Sequence, residues 1–171
     1  TLAASGTCTL VVTFAPVAPG TPSDTLTISY DDGVGAQAAT RAISGTAVAP
    51  GLLAISDGPT YTFGTVANGA TVEKPFTVSN TGGYQSTVLS GNGLSAPFAF
   101  KGGTYPGLGG TCGTSLNTGS NCTVVVTYAP TASGNHTGAF NVLYFDGAVN
   151  QSSTRSVQGT AAPPAVIAIS N

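Results

Sequence analysis

Residues 122–130 read Cys-Thr-Val-Val-Val-Thr-Tyr-Ala-Pro, and residues 8–16 read Cys-Thr-Leu-Val-Val-Thr-Phe-Ala-Pro. In both stretches apolar side chains alternate with mostly hydroxyl-bearing ones, which is the pattern of a strand with one face in a core. The stretches are 114 residues apart, and at that shift the first 57 positions match the last 57 without a gap, 23 of them identically. Self-similarity at a fixed period indicates a tandem array of structural units.

The repeat length and the apolar pattern together predict an all-β fold. A period of 114 residues fits an immunoglobulin-like β-sandwich, and no segment of ten or more residues has a helical apolar period. Residues 102–121 are rich in Gly and Thr and are predicted to form a loop. Strands are predicted at residues 52–56, 61–66, 71–79, 86–90, 97–101, 122–128, 140–144 and 153–160, and in the first copy at 8–14 and 26–30, with a further strand near its end.

Two short linkers divide the chain. Ala and Pro gather at residues 48–51 and again at 162–165, which leaves little room for independent motion of neighbouring units. We therefore predict one complete sandwich and parts of two others. The predicted units are the last three strands of a repeat at 1–50, a complete repeat at 51–164 and the first strand of a further repeat at 165–171.

The composition excludes several classes of partner. Only 6% of the residues are charged, there are four Lys plus Arg, and the formal net charge is −2. No basic patch can form to release phosphate counterions, so nucleic acid is not expected as a partner. No apolar run is long enough to span a bilayer, and no membrane span is expected.

The three cysteines follow the repeat. Cys8 corresponds to Cys122, while the position that corresponds to Cys112 would fall before Thr1. We predict a disulfide between Cys112 and Cys122, with two buried thiols as the alternative, and we expect the partner of Cys8 to be absent from this sequence.

No group of residues predicts catalysis, a cofactor or a metal site. The six acidic residues lie mostly in predicted turns, and Phe145 replaces Asp31 in the second copy, so a calcium loop is less favoured than a turn. The single histidine, His136, is expected at the solvated surface. Arg41 and Arg155 recur at one position and are expected to lie over an aromatic ring or to cap a sheet edge.

Three strands without an opposing sheet would leave an apolar face in water. Such exposure costs on the order of 10 kcal/mol, so residues 1–50 alone are not expected to stay ordered. Completion by another copy or by a longer array is expected. The candidate assembly residues are Leu10, Val12, Phe14, Leu26, Ile28, Tyr30, Val166, Ile167 and Ile169.

A family resemblance supports the same fold. The ordered series Phe63-Gly64-Thr65-Val66, Asn68-Gly69-Ala70-Thr71, residues 76–82 (Phe-Thr-Val-Ser-Asn-Thr-Gly), residues 122–130 and Val157-Gln158-Gly159-Thr160-Ala161 resembles the bacterial choice-of-anchor D repeats. Those repeats are similar to the ASPM/SPD-2/Hydin (ASH) domains. The resemblance implies immunoglobulin-like sandwiches arrayed in exported bacterial proteins, with no shared catalytic residues.

We therefore expect a non-enzymatic structural protein at the bacterial cell surface or outside it. It would form a stalk, filament or sheath from copies of itself, with donor-strand-like completion of the partial repeat. The alternative is an adhesin that binds carbohydrate or protein through strand-end loops such as residues 102–121, with Tyr105 as the candidate contact and surface glycans as candidate partners.

Overall fold

The computed structural model describes residues 2–169 of the chain. Within that range the regular secondary structure consists of eleven β-strands, and there is no helix. The all-β prediction is therefore confirmed. The chain divides into two compact units, Thr1–Ala49 and Pro50–Asn171, with the division inside the first predicted linker.

The N-terminal unit contains one antiparallel hairpin. Strand β1 (Ser23–Asp31) pairs with β2 (Ala36–Ser44) from Ser23 opposite Ser44 to Asp31 opposite Ala36. The turn between them is closed by the Asp32 amide, which donates to the Gly35 carbonyl at 3.2 Å. Beyond the hairpin, one isolated bridge joins Gly20 and Ala47.

The prediction of a strand at residues 8–14 is wrong. This stretch lies in irregular backbone, although its copy at 122–128 is a strand. The copy at 122–128 is hydrogen-bonded to strands on both sides, and both neighbours come from the first half of the repeat. Residues 8–14 have no such neighbours in the described part of the chain, and an unpaired extended segment does not persist as a strand because its backbone groups are left to water.

The C-terminal unit contains nine strands in two sheets. One sheet has the order β4-β11-β10-β6-β8 and the other β3-β5-β9-β7. All pairs are antiparallel except β4 with β11, which is parallel. The strands are β3 (Leu53–Ile55), β4 (Thr60–Ala67), β5 (Val72–Asn80), β6 (Ser86–Asn92), β7 (Phe98–Phe100), β8 (Ser115–Leu116), β9 (Asn121–Tyr128), β10 (Gly134–Phe145) and β11 (Asn150–Ala162).

The strands predicted within residues 52–160 are all present, with shifted ends. Strand β10 begins six residues before the predicted start, because its pairing with β11 extends back to Gly134 opposite Ala161. The predicted loop at residues 102–121 is present up to residue 120, except for the two-residue strand β8, which pairs with β6, and Asn121 begins β9.

The two sheets share one apolar core. The rings of Phe76 on β5 and Phe140 on β10 lie 5.1 Å apart between centroids and bridge the sheets. A second aromatic group joins Phe63, Phe98 and Tyr128, with the last two stacked at 4.8 Å. Aromatic pairs in these geometries add to the free energy gained from area burial alone.

Strand β9 has both faces covered, which the alternating pattern does not predict. Cys122, Val124, Val126 and Tyr128 face the core as expected, but Val125 on the other face is also buried. The loop after β7 lies over it: the Lys101 amide donates to the Val125 carbonyl at 2.9 Å, and the Val125 amide donates to Pro106 at 2.8 Å. Gly107 permits this approach, since a Cβ there would lie 2.3 Å from the Val125 carbonyl oxygen.

The Asp-Gly turn is built in the same way in both units. In the C-terminal unit the Asp146 carboxylate accepts the amides of Ala148 and Val149 at 2.7 and 2.8 Å, and the Gln151 side chain at 3.0 Å. Asp32 accepts the amides of Val34 and Gly35 and the side chain of Gln37. The recurrence of this whole set identifies the turn as part of the repeated framework.

The segment predicted as the first strand of a further repeat is not a strand in the structure. Residues 163–169 are irregular and make no ladder pairing within the described residues, while Ser170 and Asn171 lie outside them. The copy at Leu53–Ile55 is a strand because it pairs with β5. A partner strand is therefore the missing element here as it is at residues 8–14.

Replacing Asp146 with Asn is expected to lower the melting temperature of the C-terminal unit by several degrees at neutral pH. The backbone amides of Val149 and Ala148 hold the pKa of Asp146 below its usual value. A lowered folded-state pKa stabilises the fold above the unfolded pKa of about 4, and that contribution is lost as the pH falls through the folded pKa. The difference in melting temperature between wild type and variant should therefore shrink below pH 4. Asp24→Asn, at an exposed aspartate, is the control, and a difference that persists unchanged at pH 2 would contradict this.

Replacing Gly159 with Ala should destabilise the C-terminal unit by about 1–3 kcal/mol, the usual cost of overpacking a closed core. A Cβ at Gly159 would lie 2.6 Å from Cε1 of Tyr128, which is fully buried. Gly45→Ala is the matched control, because its Cβ would meet Phe14 at the same distance but that ring is 51% exposed and can move aside. Urea unfolding should show that the control loses less than about 0.5 kcal/mol of its free energy of unfolding. Equal losses of unfolding free energy in both variants would refute this account.

Candidate functional site: the uncovered face of the N-terminal unit

The inner face of the β1–β2 hairpin is exposed where its copy is buried. In the C-terminal unit Phe140, Val142 and Tyr144 on β10 are at most 4% exposed. The corresponding residues on β1 are Leu26, which is half-buried, Ile28, which is 42% exposed, and Tyr30, which is 50% exposed. The hairpin has therefore kept the side chains of a core face without the sheet that covers such a face.

The segment before the hairpin carries a second apolar group. Leu10, Val12 and Phe14 are each more than half exposed, whereas their copies on β9 are fully buried. The Phe14 ring lies against Gly45, just as Tyr128 lies against Gly159 in the C-terminal unit. Part of the repeat's packing is thus preserved here without a strand.

These residues line an open apolar groove. Its walls are residues 12–24 and Ile43–Gly45, so the structure brings Val12 and Phe14 together with Ile43. Leu26, Ile28 and Tyr30 lie outside the groove on the hairpin face. Asp24 is the one ionisable residue of the groove lining, and it accepts the amide of Thr25 at 2.7 Å. The groove therefore suits an uncharged, apolar polypeptide surface.

The C-terminal unit shows which groups hold a covering strand. Strand β3 is attached to the β10–β11 hairpin by hydrogen bonds other than ladder bonds. The Arg155 guanidinium and the Ser153 hydroxyl donate to the carbonyls of Ile55 and Leu53, and the Leu53 amide donates to the Tyr144 hydroxyl at 3.3 Å. The Gly51 amide donates to the Asp146 carbonyl at 2.8 Å.

The recurring arginine is explained by this attachment. The sequence predicted contact with an aromatic ring or an edge cap, and Arg155 bonds an edge, because its guanidinium donates to the backbone of β3, the edge strand of its sheet. A Cβ on Gly58 would meet the guanidinium, so the turn after β3 also packs against it. Its recurrence as Arg41 was the only sequence signal, and the function of the residue is visible only once β3 is placed.

Of the four groups that hold β3, the N-terminal unit has three. Tyr30, Asp32 and Arg41 correspond to Tyr144, Asp146 and Arg155, while Ala39 stands in place of Ser153. The pairing of the hairpins matches as well, because Leu26 lies opposite Arg41 as Phe140 lies opposite Arg155.

The remaining predicted site residues lie elsewhere. Cys112 and Cys122 form a disulfide, with their Cα atoms 4.8 Å apart, which confirms that pairing. Cys8 is an exposed free cysteine. Val166, Ile167 and Ile169 are at least 90% exposed in the C-terminal segment.

Two side chains are placed differently from their predicted positions. His136 is half-buried rather than solvated, because its Nδ1 lies 2.8 Å from the buried hydroxyl of Tyr128. Tyr105 packs edge-on against Phe100 at the border of the core, and burial raises its pKa to about 12. Tyr105 is thus a packing residue and a poor reporter of surface binding.

Within residues 2–169 no three potential metal-ligating side chains come together, and no helix has the length and hydropathy for a bilayer span. The acidic side chains have structural partners. Asp57 pairs with Lys74 at 3.1 Å and Glu73 with Lys101 at 2.8 Å, and the Ser56 hydroxyl and Lys74 hold the pKa of Asp57 below its usual value.

Comparison with known proteins gives a likeness of fold. No known protein family and no curated protein matches the sequence. The chain is similar to the VesB protease of Vibrio cholerae at 20% identity and a TM-score of 0.51, over 63% of this chain and 31% of that one. It is also similar to the ASH/PapD-like domain 7 of human CEP192, at 18% identity and a TM-score of 0.49 over 66% of this chain and 87% of that domain.

A third similar structure is a protein of unknown function from Porphyromonas gingivalis W83, at 12% identity and a TM-score of 0.49, over 85% of this chain and 68% of that one. The chain spans less than a third of the length of VesB. At such identities the likeness concerns the β-fold alone, and the choice-of-anchor D assignment stays a prediction.

Proposed function

We propose that the chain is a structural segment of an extracellular bacterial protein, in which immunoglobulin-like sandwiches follow one another in a stalk, filament or sheath. The observation that carries this proposal is the parallel pairing of β4 with β11. These strands lie near the two ends of the complete unit, and six residue pairs join them, from Thr60 with Ser156 to Ala67 with Ala162.

This pairing suits a unit that carries tension. If the unit is pulled by its ends, β4 and β11 are drawn past each other in opposite directions. Since they run parallel, the hydrogen bonds between them are strained together instead of one after another. Strand β3, which precedes β4, is further attached to β11 through Arg155 and Ser153. A segment of an extended array needs this kind of resistance.

The residues shared by the two copies also favour a structural function. Asp146 and Gln151 build a turn, Arg155 and Tyr144 hold β3, and Gly159 makes room for Tyr128. Five of these six residues recur in the N-terminal copy, and Phe14 stands in place of Tyr128. The residues that the two copies share are therefore those that hold the sandwich together. We take this as support for a structural, non-enzymatic function.

The disulfide and the surface composition favour an extracellular location. Disulfides persist in oxidising compartments, and one closes the loop between Cys112 and Cys122. With 6% charged residues the surface is hydroxyl-rich and nearly neutral, which suits close packing of neighbouring units without charge repulsion.

Adhesion is the second candidate. The loop at residues 102–120 is tied to β9 by the disulfide and by the amides of Thr111 and Cys112, which donate to the Thr123 carbonyl. It exposes Leu108, whose side chain is 67% exposed. A glycan array is the test, with loss of signal in Leu108→Ser as the supporting result, since Tyr105 is needed for packing.

Single-molecule pulling of the full chain tests the structural proposal. With Cys8 changed to Ser, handles attached at residues 50 and 164 load β3 and its ladder with β5 first, and then β4 and β11 in shear. Handles at residues 134 and 161 instead peel β10 from β11, because Gly134 lies opposite Ala161 at the paired ends of that hairpin. We expect a clearly higher unfolding force with handles at residues 50 and 164 than with handles at residues 134 and 161. Because the folded protein is the same in both experiments, the difference reports the direction of loading alone.

The disulfide gives the internal check on that measurement. With handles at residues 50 and 164, which enclose both cysteines, its ten-residue separation should shorten the released contour by about 35 Å relative to the reduced protein. Equal forces in the two pulling geometries, or unfolding of the 51–164 unit without a resolved force, would overturn the proposal of a load-bearing structural segment.

A further inference from the structure

We infer that residues 165–169 of one copy dock on the β1–β2 hairpin of a second copy, in the place that β3 takes on the β10–β11 hairpin. This inference deepens the proposed structural function and rests on it, because it names the contact through which copies would join. The contact is head to tail, because the donor segment and the acceptor hairpin are different surfaces of the described chain.

The donor segment repeats the strand whose place it would take. Residues 165–169 correspond to residues 51–55, with Ile167 and Ile169 in the positions of Leu53 and Ile55. Leu53 and Ile55 are at most 7% exposed in the C-terminal unit, whereas Ile167 and Ile169 are 90% and 93% exposed. The segment thus has the apolar side chains of an inserted strand but no core around them.

The acceptor hairpin has the groups that hold such a strand. Arg41 corresponds to the guanidinium that bonds the Ile55 carbonyl, so it would bond the carbonyl of Ile169. Tyr30 corresponds to the hydroxyl that accepts the Leu53 amide, so it would accept the amide of Ile167. The Asp32 carbonyl would accept the amide of Ala165, as Asp146 accepts that of Gly51.

The geometry of the acceptor is already formed. Tyr30 lies opposite Gln37 on the hairpin as Tyr144 lies opposite Gln151, and the closing turn bond from Asp32 to Gly35 repeats the one from Asp146 to Val149. The docking groups therefore stand in the same register in both hairpins. One bond is absent from the set, because Ala39 cannot donate as Ser153 does.

Stoichiometry favours this occupant over a complete exchange of half-sandwiches. The described residues contain one first half of a repeat, within residues 51–114, and β9 to β11 already use it. The segment at 165–169 has no ladder partner within the described residues and is available. Since donor and acceptor are different surfaces, the contact is heterologous and joins copies in an open series.

The test is the association of the full chain with Cys8 changed to Ser, so that no thiol can link copies. Light scattering after size exclusion should show a mass that rises with concentration. Ile169→Asp in the donor and Arg41→Ala in the acceptor should each raise the apparent dissociation constant at least tenfold. Ala168→Asp is the matched control, because its copy Ala54 is exposed and faces away from the core. It adds the same charge and should change association little.

Mixing the two defective variants gives the decisive result. Ile169→Asp keeps an intact acceptor and Arg41→Ala keeps an intact donor, so the mixture should form one-to-one dimers and no larger species. A synthetic peptide of residues 163–171 should compete with the full chain and shorten its assemblies. Failure to form the mixed dimer, or a monomer at every concentration, would overturn the inference.

If residues 165–169 docked on the hairpin of their own chain, the protein would also stay monomeric. In that case Ile169→Asp would raise the rate of hydrogen exchange at the Tyr30 amide in the monomer. That result would overturn docking on a second copy. Neither variant lies within the strands β3 to β11, so the unfolding force of the β4–β11 pair should be unchanged in both. Failure of docking and failure of the load-bearing proposal are therefore separate results.

Discussion

The structure depends on one constraint: a β-strand persists only where neighbouring strands take up its backbone hydrogen bonds and an opposing sheet covers its apolar face. Residues 122–128 meet this condition between β5 and β7, and residues 8–14 do not. The two stretches are nearly the same in sequence. Their different structures therefore arise from what surrounds them and not from local propensity.

The β1–β2 hairpin, which follows residues 8–14, persists because its two strands satisfy each other's backbone hydrogen bonds. Strands β1 and β2 pair with each other, as β10 and β11 do, so the N-terminal copy retains this element although no opposing sheet covers it within residues 2–169. The aspartate turn reinforces it locally, since Asp32 uses its carboxylate on the amides that close the turn. What remains of the copy is the part that is satisfied by contacts close in sequence, with an apolar face left open.

The open face of the N-terminal hairpin and the attachment of strand β3 in the complete unit involve corresponding side chains. Strand β3 is held in the complete unit by side chains from the hairpin as well as by its ladder with β5. The same side chains on the N-terminal hairpin stand without a strand to hold, while a strand-like segment ends the described chain. In the proposed array, the first strand of one repeat would join it to its neighbour, and the parallel β4–β11 pair would transmit force between them.

Much of the fold of the complete unit could be predicted from the sequence. Period-two alternation located the strands of the complete unit, the 114-residue repeat identified the shared framework, and cysteine spacing predicted the disulfide, because each depends on neighbours close in the chain or on a copy of the same residues. Tertiary structure alone decided that residues 8–14 are not a strand, that Val125 is covered by a loop, that His136 bonds Tyr128, and that Arg155 holds β3. Three of these facts depend on partners far away in sequence, and the contact of His136 depends on a side chain eight residues away across a turn, so no local pattern encodes them.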